Sequence, residues 1–224
     1  NITLDAGADA GSSIIVTGAF TDIGTLTITD ATNVELRGAL NVAAYVDTGN
    51  VNNVSITGTG TVVGNTTFLN AGTLLINDAA ETTTFTGGLT ANANSELTLQ
   101  GTLATTNNDM SIGANGLTIA GAGATLTSGN GDITIGGVVT GANKSLTITS
   151  SGTTTLSADL NALSTFVTDA AGGTTLAAGV DITTASTMTI ADALIISSGG
   201  TSILDAGAAA TSDITLAAVS GING

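Results

Sequence analysis

The run from Gly129 to Ser157 reads Gly-Asn-Gly, then Asp132-Ile133-Thr134-Ile135, Gly136-Gly137, Val138-Val139-Thr140, Gly141-Ala142-Asn143, Lys144-Ser145-Leu146-Thr147-Ile148-Thr149, Ser150-Ser151-Gly152 and Thr153-Thr154-Thr155-Leu156-Ser157. Short apolar-polar-apolar runs rich in β-branched residues are divided by two or three residues that accept a tight turn or a positive φ. Each run reads as a strand and each divider as a corner. Strand alternation sends the aliphatic side chains of a run to one face and its central threonine to the other. One face is core and the other is water.

The same unit recurs in both directions. Ile2-Thr3-Leu4, Leu26-Thr27-Ile28, Val34-Glu35-Leu36, Val54-Ser55-Ile56, Leu97-Thr98-Leu99, Leu117-Thr118-Ile119, Met188-Thr189-Ile190 and Ile214-Thr215-Leu216 share it. Triads near Val54, Leu74, Leu97 and Leu117 fall about twenty residues apart, a spacing typical of solenoid repeats. The fold expected is therefore all-β: a parallel β-helix, or β-solenoid, wound from one chain at roughly 20 residues per coil. On the order of 11 coils stacked at about 4.8 Å would make a rod roughly 50 Å long. Helix formers run together only at Leu160 to Phe166 and Ala206 to Ala210, too briefly to nucleate alone. No composition shift marks a boundary, so residues 1–224 read as one continuous solenoid segment. With no initiator Met, charged n-region or h-region in view, the chain reads as a mature segment or a piece of a longer repetitive protein.

Composition limits the function classes. Aromatic residues make up 2% and charged residues 8% of the 224, and Pro, Cys, His and Trp are absent. A globular enzyme carries about 25% charged residues, whereas small uniform aliphatic side chains suit a narrow repeating core. The formal charge of −15 comes from seventeen acidic residues against Arg37 and Lys144. Neutralising phosphates requires Lys and Arg, so nucleic acid and anionic membrane surfaces are not expected partners. No apolar run approaches the ~20 residues of a membrane-spanning helix.

Catalysis by Ser-His or Cys-His is excluded by the missing His and Cys. Sugar cleavage by paired carboxylates, with Arg or Lys to help and aromatics to stack the substrate, has only two basic residues and Tyr45 to draw on. The chain is read as a non-enzyme without a cofactor. Calcium is the one metal that its oxygen ligands suit, with Asn130 and Asp132 of Gly129-Asn130-Gly131-Asp132 as candidate ligands. That element resembles a single copy of the calcium-binding β-roll nonapeptide, which needs tandem copies, and a tight Asn-Gly turn accounts for it more simply. Asp-Ala corners recur at Asp5, Asp30, Asp78, Asp169, Asp192 and Asp205, where an Asp side chain can bond the backbone two residues on. Sequons at Asn1, Asn53, Asn65 and Asn143 permit glycosylation. Outward threonines Thr25, Thr27 and Thr29, Thr147 and Thr149, and Thr187 and Thr189 are candidate ladder residues; they read first as ordinary β-propensity on a wet face, and otherwise as an array that orders water.

Gly131-Asp132-Ile133-Thr134-Ile135-Gly136-Gly137, Lys144-Ser145-Leu146-Thr147-Ile148-Thr149, and the openings Ala71-Gly72-Thr73 and Gly172-Gly173-Thr174 give the chain a resemblance to filamentous-haemagglutinin-like exoproteins and related autotransporter or surface-layer adhesins of bacteria. The resemblance implies a right-handed parallel β-helix, export to the cell surface, and an adhesive or scaffolding role. Asn108 to Asn115 is similar to the head repeat of trimeric autotransporter adhesins, which that family repeats in succession and this chain carries once. The expected function is thus an extracellular structural or adhesive protein of a bacterial surface, sheath, filament or layer. Its expected partners are further copies, met laterally or end to end, and cell-surface carbohydrate. A ligand-binding or ice-binding solenoid is the alternative, and a polysaccharide-cleaving β-helix the third reading.

Overall fold

The computed structural model describes residues 1–91 and 96–221. Among these residues there are 24 strands and no helix. The chain winds as a parallel β-solenoid of about 10 turns with about 21 residues per turn, close to the roughly 20 residues and 11 coils expected from the triad spacing.

Three walls of parallel strands follow one another within every coil. In the middle of the molecule Ile133–Ile135 lies on the first wall, Val139–Thr140 on the second and Leu146–Ser150 on the third. The next coil repeats the order with Thr153–Leu156, Leu160–Leu163 and Phe166–Thr168. Each strand pairs with its equivalent one coil away, as in Leu89↔Met110↔Ile133↔Thr154↔Thr174 on the first wall. Val34↔Val54↔Leu74↔Leu97↔Leu117↔Val139 does the same on the second wall, and Leu103↔Leu126↔Ile148 on the third. Longer strands, such as Leu117–Gly129, run through a corner and serve two walls.

Alternation explains the core. Ile112, Ile135, Leu156 and Leu176 stack one above another on the inside of the first wall, and all are buried. Thr134, Thr155 and Thr175 between them face outward and are half-buried. Stacking like residues lets every added coil bury one more aliphatic layer and close another set of backbone hydrogen bonds.

Corner chemistry sets how tightly coils approach. Gly172 has φ +77°, and a Cβ there would stand 2.1 Å from the carbonyl oxygen of Gly152 in the coil below. At Gly131 a Cβ would come within 2.1 Å of the Asn108 carbonyl oxygen. The glycines of the Gly-Asn-Gly and Gly-Gly-Thr elements are therefore packing requirements as well as turn formers.

Candidate functional site

Corner carboxylates and amides reach across coils. The Thr153 N–H donates to Asp132 Oδ1 at 2.7 Å, and the Asp132 N–H donates to Asp109 Oδ1 at 3.0 Å. A second series runs from Ile203 N–H to Asp181 Oδ1 at 2.7 Å and from Asp181 N–H to Asp159 Oδ1 at 2.9 Å. Asn107 Oδ1 accepts the Asn130 N–H at 3.1 Å, and Asn130 Oδ1 accepts the Ser151 hydroxyl at 3.1 Å. Backbone N–H groups that turn out of the ladder at a corner thus find a side-chain acceptor from the neighbouring coil.

The calcium candidates Asn130 and Asp132 are members of these series. The Gly131 N–H donates to the Ser128 carbonyl at 3.1 Å and closes a turn around Gly129-Asn130. No group of three or more His, Cys, Asp or Glu side chains is placed to hold a metal among the described residues.

The Asp-Ala corners divide into kinds. Gly7 and Gly207 donate to Asp5 Oδ1 and Asp205 Oδ1 at 2.9 and 2.7 Å, the two-residue Asp turn expected from sequence. Asp169 instead accepts the Ser150 N–H of the preceding coil at 3.1 Å. Asp192 points inward: it is 4% exposed and accepts the hydroxyls of Thr168 and Thr174 at 3.1 and 2.9 Å. Burial raises its carboxyl above the ordinary value, and the two hydroxyls and its own N–H pull the other way.

The threonine candidates occupy two walls. Thr27 lies on the first wall between Thr3 and Val46, flanked along its strand by Thr25 and Thr29. Thr147 and Thr149 lie on the third wall, where two ranks form in register: Thr82–Thr102–Thr125–Thr147 and Thr84–Ala104–Thr127–Thr149. The first rank goes on through Val167 to Thr189 and Thr215. Thr187 precedes Thr189 on the same wall and its carbonyl accepts the Phe166 N–H at 3.2 Å. An open groove of about 250 Å³ runs beside the ranks, lined by Gln100, Thr102, Gly123, Thr125, Ser145 and Thr147. Corners of unequal length separate these runs along the chain, yet the runs stack in register.

Other residues weighed in the sequence fall as follows. Tyr45 is 2% exposed and packs on Phe68 with ring centroids 5.2 Å apart, so its ring is unavailable to stack a sugar. Arg37 forms an ion pair with Glu35 two residues before it. Asn53 of the sequons donates to Asn33 Oδ1 at 2.9 Å, whereas Asn65 and Asn143 are exposed. The Asn108 to Asn115 stretch carries the strand Met110–Ile112, one member of the first wall.

Asp47 and Asn77 are among the buried polar residues that the sequence does not single out. Asp47 is 1% exposed and stacks on Ile28 inside the first wall. Asn77, fully buried with φ +59°, accepts the Thr83 hydroxyl at 2.6 Å and donates to the Thr102 carbonyl at 2.9 Å.

No helix among the described residues is long and apolar enough to cross a membrane. A scan against protein-family models and searches of curated proteins and of solved structures each return no match to this chain.

Proposed function

We propose that the chain is a non-enzymatic structural element: a β-solenoid segment of an extracellular bacterial adhesin, sheath, filament or surface layer. The observation that carries this reading is where the corner polar groups are spent. Asp109, Asp132, Asp159, Asp169 and Asp181 each accept a backbone N–H of the adjacent coil at a carboxylate oxygen. A carboxylate oxygen used in this way braces the stack. Rigidity arises from wall ladders and corner bonds together, and it grows with every coil added. The surplus of negative charge opposes indiscriminate edge pairing in a molecule built of strands. The Gly-Asp-Ile-Thr-Ile-Gly-Gly and Lys-Ser-Leu-Thr-Ile-Thr elements that resemble bacterial exoproteins support the surface location. Further copies and cell-surface carbohydrate are the partners this reading entails.

Immunogold electron microscopy of the producing cells, with antibody raised against this chain, tests it. Gold along filaments or over a continuous outer layer is the expected result. Label confined to soluble secreted material would overturn it.

The paired threonine ranks on the third wall favour a second reading, an ordered-water or ice-binding surface. Strand geometry sets such hydroxyls about 6.8 Å apart along a strand and about 4.8 Å apart between coils, a two-dimensional grid. A thermal-hysteresis measurement decides: hysteresis that disappears in a Thr125→Val, Thr147→Val double variant would establish this reading, and none in the unaltered chain would remove it.

A further inference from the structure

The inside of the first wall is aliphatic at one stacked position in coil after coil: Leu4 and Ile28 below, Ile112, Ile135, Leu156 and Leu176 above. In the third coil that position belongs to Asp47, which pairs with Ile28 of the second coil. One oxygen, Oδ1, accepts the Leu69 N–H of the fourth coil at 2.7 Å, and the Gly49 N–H also bonds the carboxylate. The other, Oδ2, is buried with no hydrogen-bond partner, and so is the hydroxyl of Tyr45 two residues earlier on the same strand. Phe68 and Phe85 close the space above, their rings 5.8 Å apart. A carboxylate with an unsatisfied oxygen in an aromatic core is costly when charged and far less so when protonated.

Neighbouring charges do not compensate it. On Phe20–Leu36, the strand stacked below, Asp22 is exposed and Asp30 and Glu35 stand in partly exposed positions. Thr66–Thr67 above, Val51–Ile56 and Gly60–Val62 in the same coil, and Thr82–Phe85 carry no ionisable group. Tyr45 is the ionisable neighbour inside the core, and burial together with the Asp47 charge raises its hydroxyl well above its ordinary value, keeping it neutral.

We propose that Asp47 makes the packing of the second, third and fourth coils an acid-strengthened joint, tight when its carboxyl has taken a proton from solvent and loosened when the carboxyl is ionised. Burial raises this carboxyl from 3.8 to about 6, against the pull of the Leu69 and Gly49 N–H groups. Its contribution is therefore complete below the unfolded value of 3.8 and is lost as pH rises through about 6. This runs opposite to ordinary acid unfolding, in which paired carboxylates lose their bonds on protonation.

Tyr45 is the single tyrosine in a chain without tryptophan, so its emission reports on this joint directly. Urea unfolding followed by Tyr45 emission should give an unfolding constant about tenfold larger at pH 8 than at pH 5, the span left to a carboxyl shifted this far. Asp47→Asn, which keeps an acceptor for Leu69, should remove most of that difference, Asp192 being the other carboxyl raised by burial, and Asp78→Asn at an exposed corner should retain it. Should Asp47→Asn not fold, hydrogen exchange of residues 45–70 in the unaltered chain, corrected for intrinsic rates, should show the same loss of protection at pH 8. Equal protection at both pH values, or a tenfold difference surviving in Asp47→Asn, would overturn the proposal.

Discussion

Coils three and four and coils six to nine follow the same strand grammar yet fill their interiors differently. Between residues 44 and 85 the inside holds Tyr45, Asp47, Phe68, Asn70, Asn77, Thr83 and Phe85 beside a few aliphatics. Between residues 110 and 176 it holds Met110, Ile112, Ile133, Ile135, Leu146, Ile148, Leu156 and Leu176, with Phe166 the one aromatic and with buried polar side chains that are all small hydroxyls: Ser128, Ser150, Thr154, Thr168 and Thr174. Where like stacks on like, each layer sits on a copy of itself and the loss of one side chain is a local cavity. Where large rings, a carboxylate and amides share the space, each needs a specific partner, often from another coil. Asn77, for example, answers Thr83 in its own coil and Thr102 in the next. The regular half is therefore expected to be robust to change and the irregular half sensitive to it.

The largest effect should come from Phe68, whose ring lies between Tyr45 and Phe85. Phe68→Ala should cost about 3–5 kcal/mol, in the range of buried aromatic truncations. Leu156→Ala, in the stack between Ile135 and Leu176, should fall near the lower end of about 2–5 kcal/mol. Chemical denaturation of both variants side by side checks the contrast, and a larger loss at Leu156 would reverse it.

A smaller change is expected at the corner series of the regular half. Asp132→Ala removes the acceptor of the Thr153 N–H, and should cost about 1 kcal/mol because that amide can still reach water. Calorimetric melting would register this as a shift of a few degrees. Smallest of all, Thr125→Val with Thr147→Val should alter stability by no more than about 0.5 kcal/mol per site, since both side chains stand on the outer face. A marked loss on melting that double variant would mean that the hydroxyls of the third wall brace the coils.

Much of the architecture is legible in residue order. Ile133-Thr134-Ile135 and Leu146-Thr147-Ile148 announce strands by period alone, and the glycines between them announce corners. Which triads stack on which is not legible, because low-complexity runs allow slips in register that hydrophobic pattern alone does not forbid. Asp47 shows why buried polar groups were missed. Leu40 and Val42 set one parity along the strand, Tyr45 and Asp47 follow the other, and the shift occurs at an unmarked bend near Ala43 and Ala44. Read with a constant period, Val46 belongs to the core and Asp47 to water, whereas Val46 is 42% exposed. Asp192 is the opposite case. Met188, Ile190, Asp192 and Leu194 keep one parity and all four are buried, so period two places the carboxylate inside although its Asp-Ala signature reads as a surface corner.

The claim at the centre of this account is mechanical: coils joined by in-register ladders and corner bonds make a stiff rod that yields unit by unit. Pulling single molecules by their two ends in an optical trap tests it most directly. The account predicts discrete force peaks, each releasing one coil of about 21 residues or a small multiple, or roughly 70 Å of extended chain per coil. Smooth extension without a peak would contradict it.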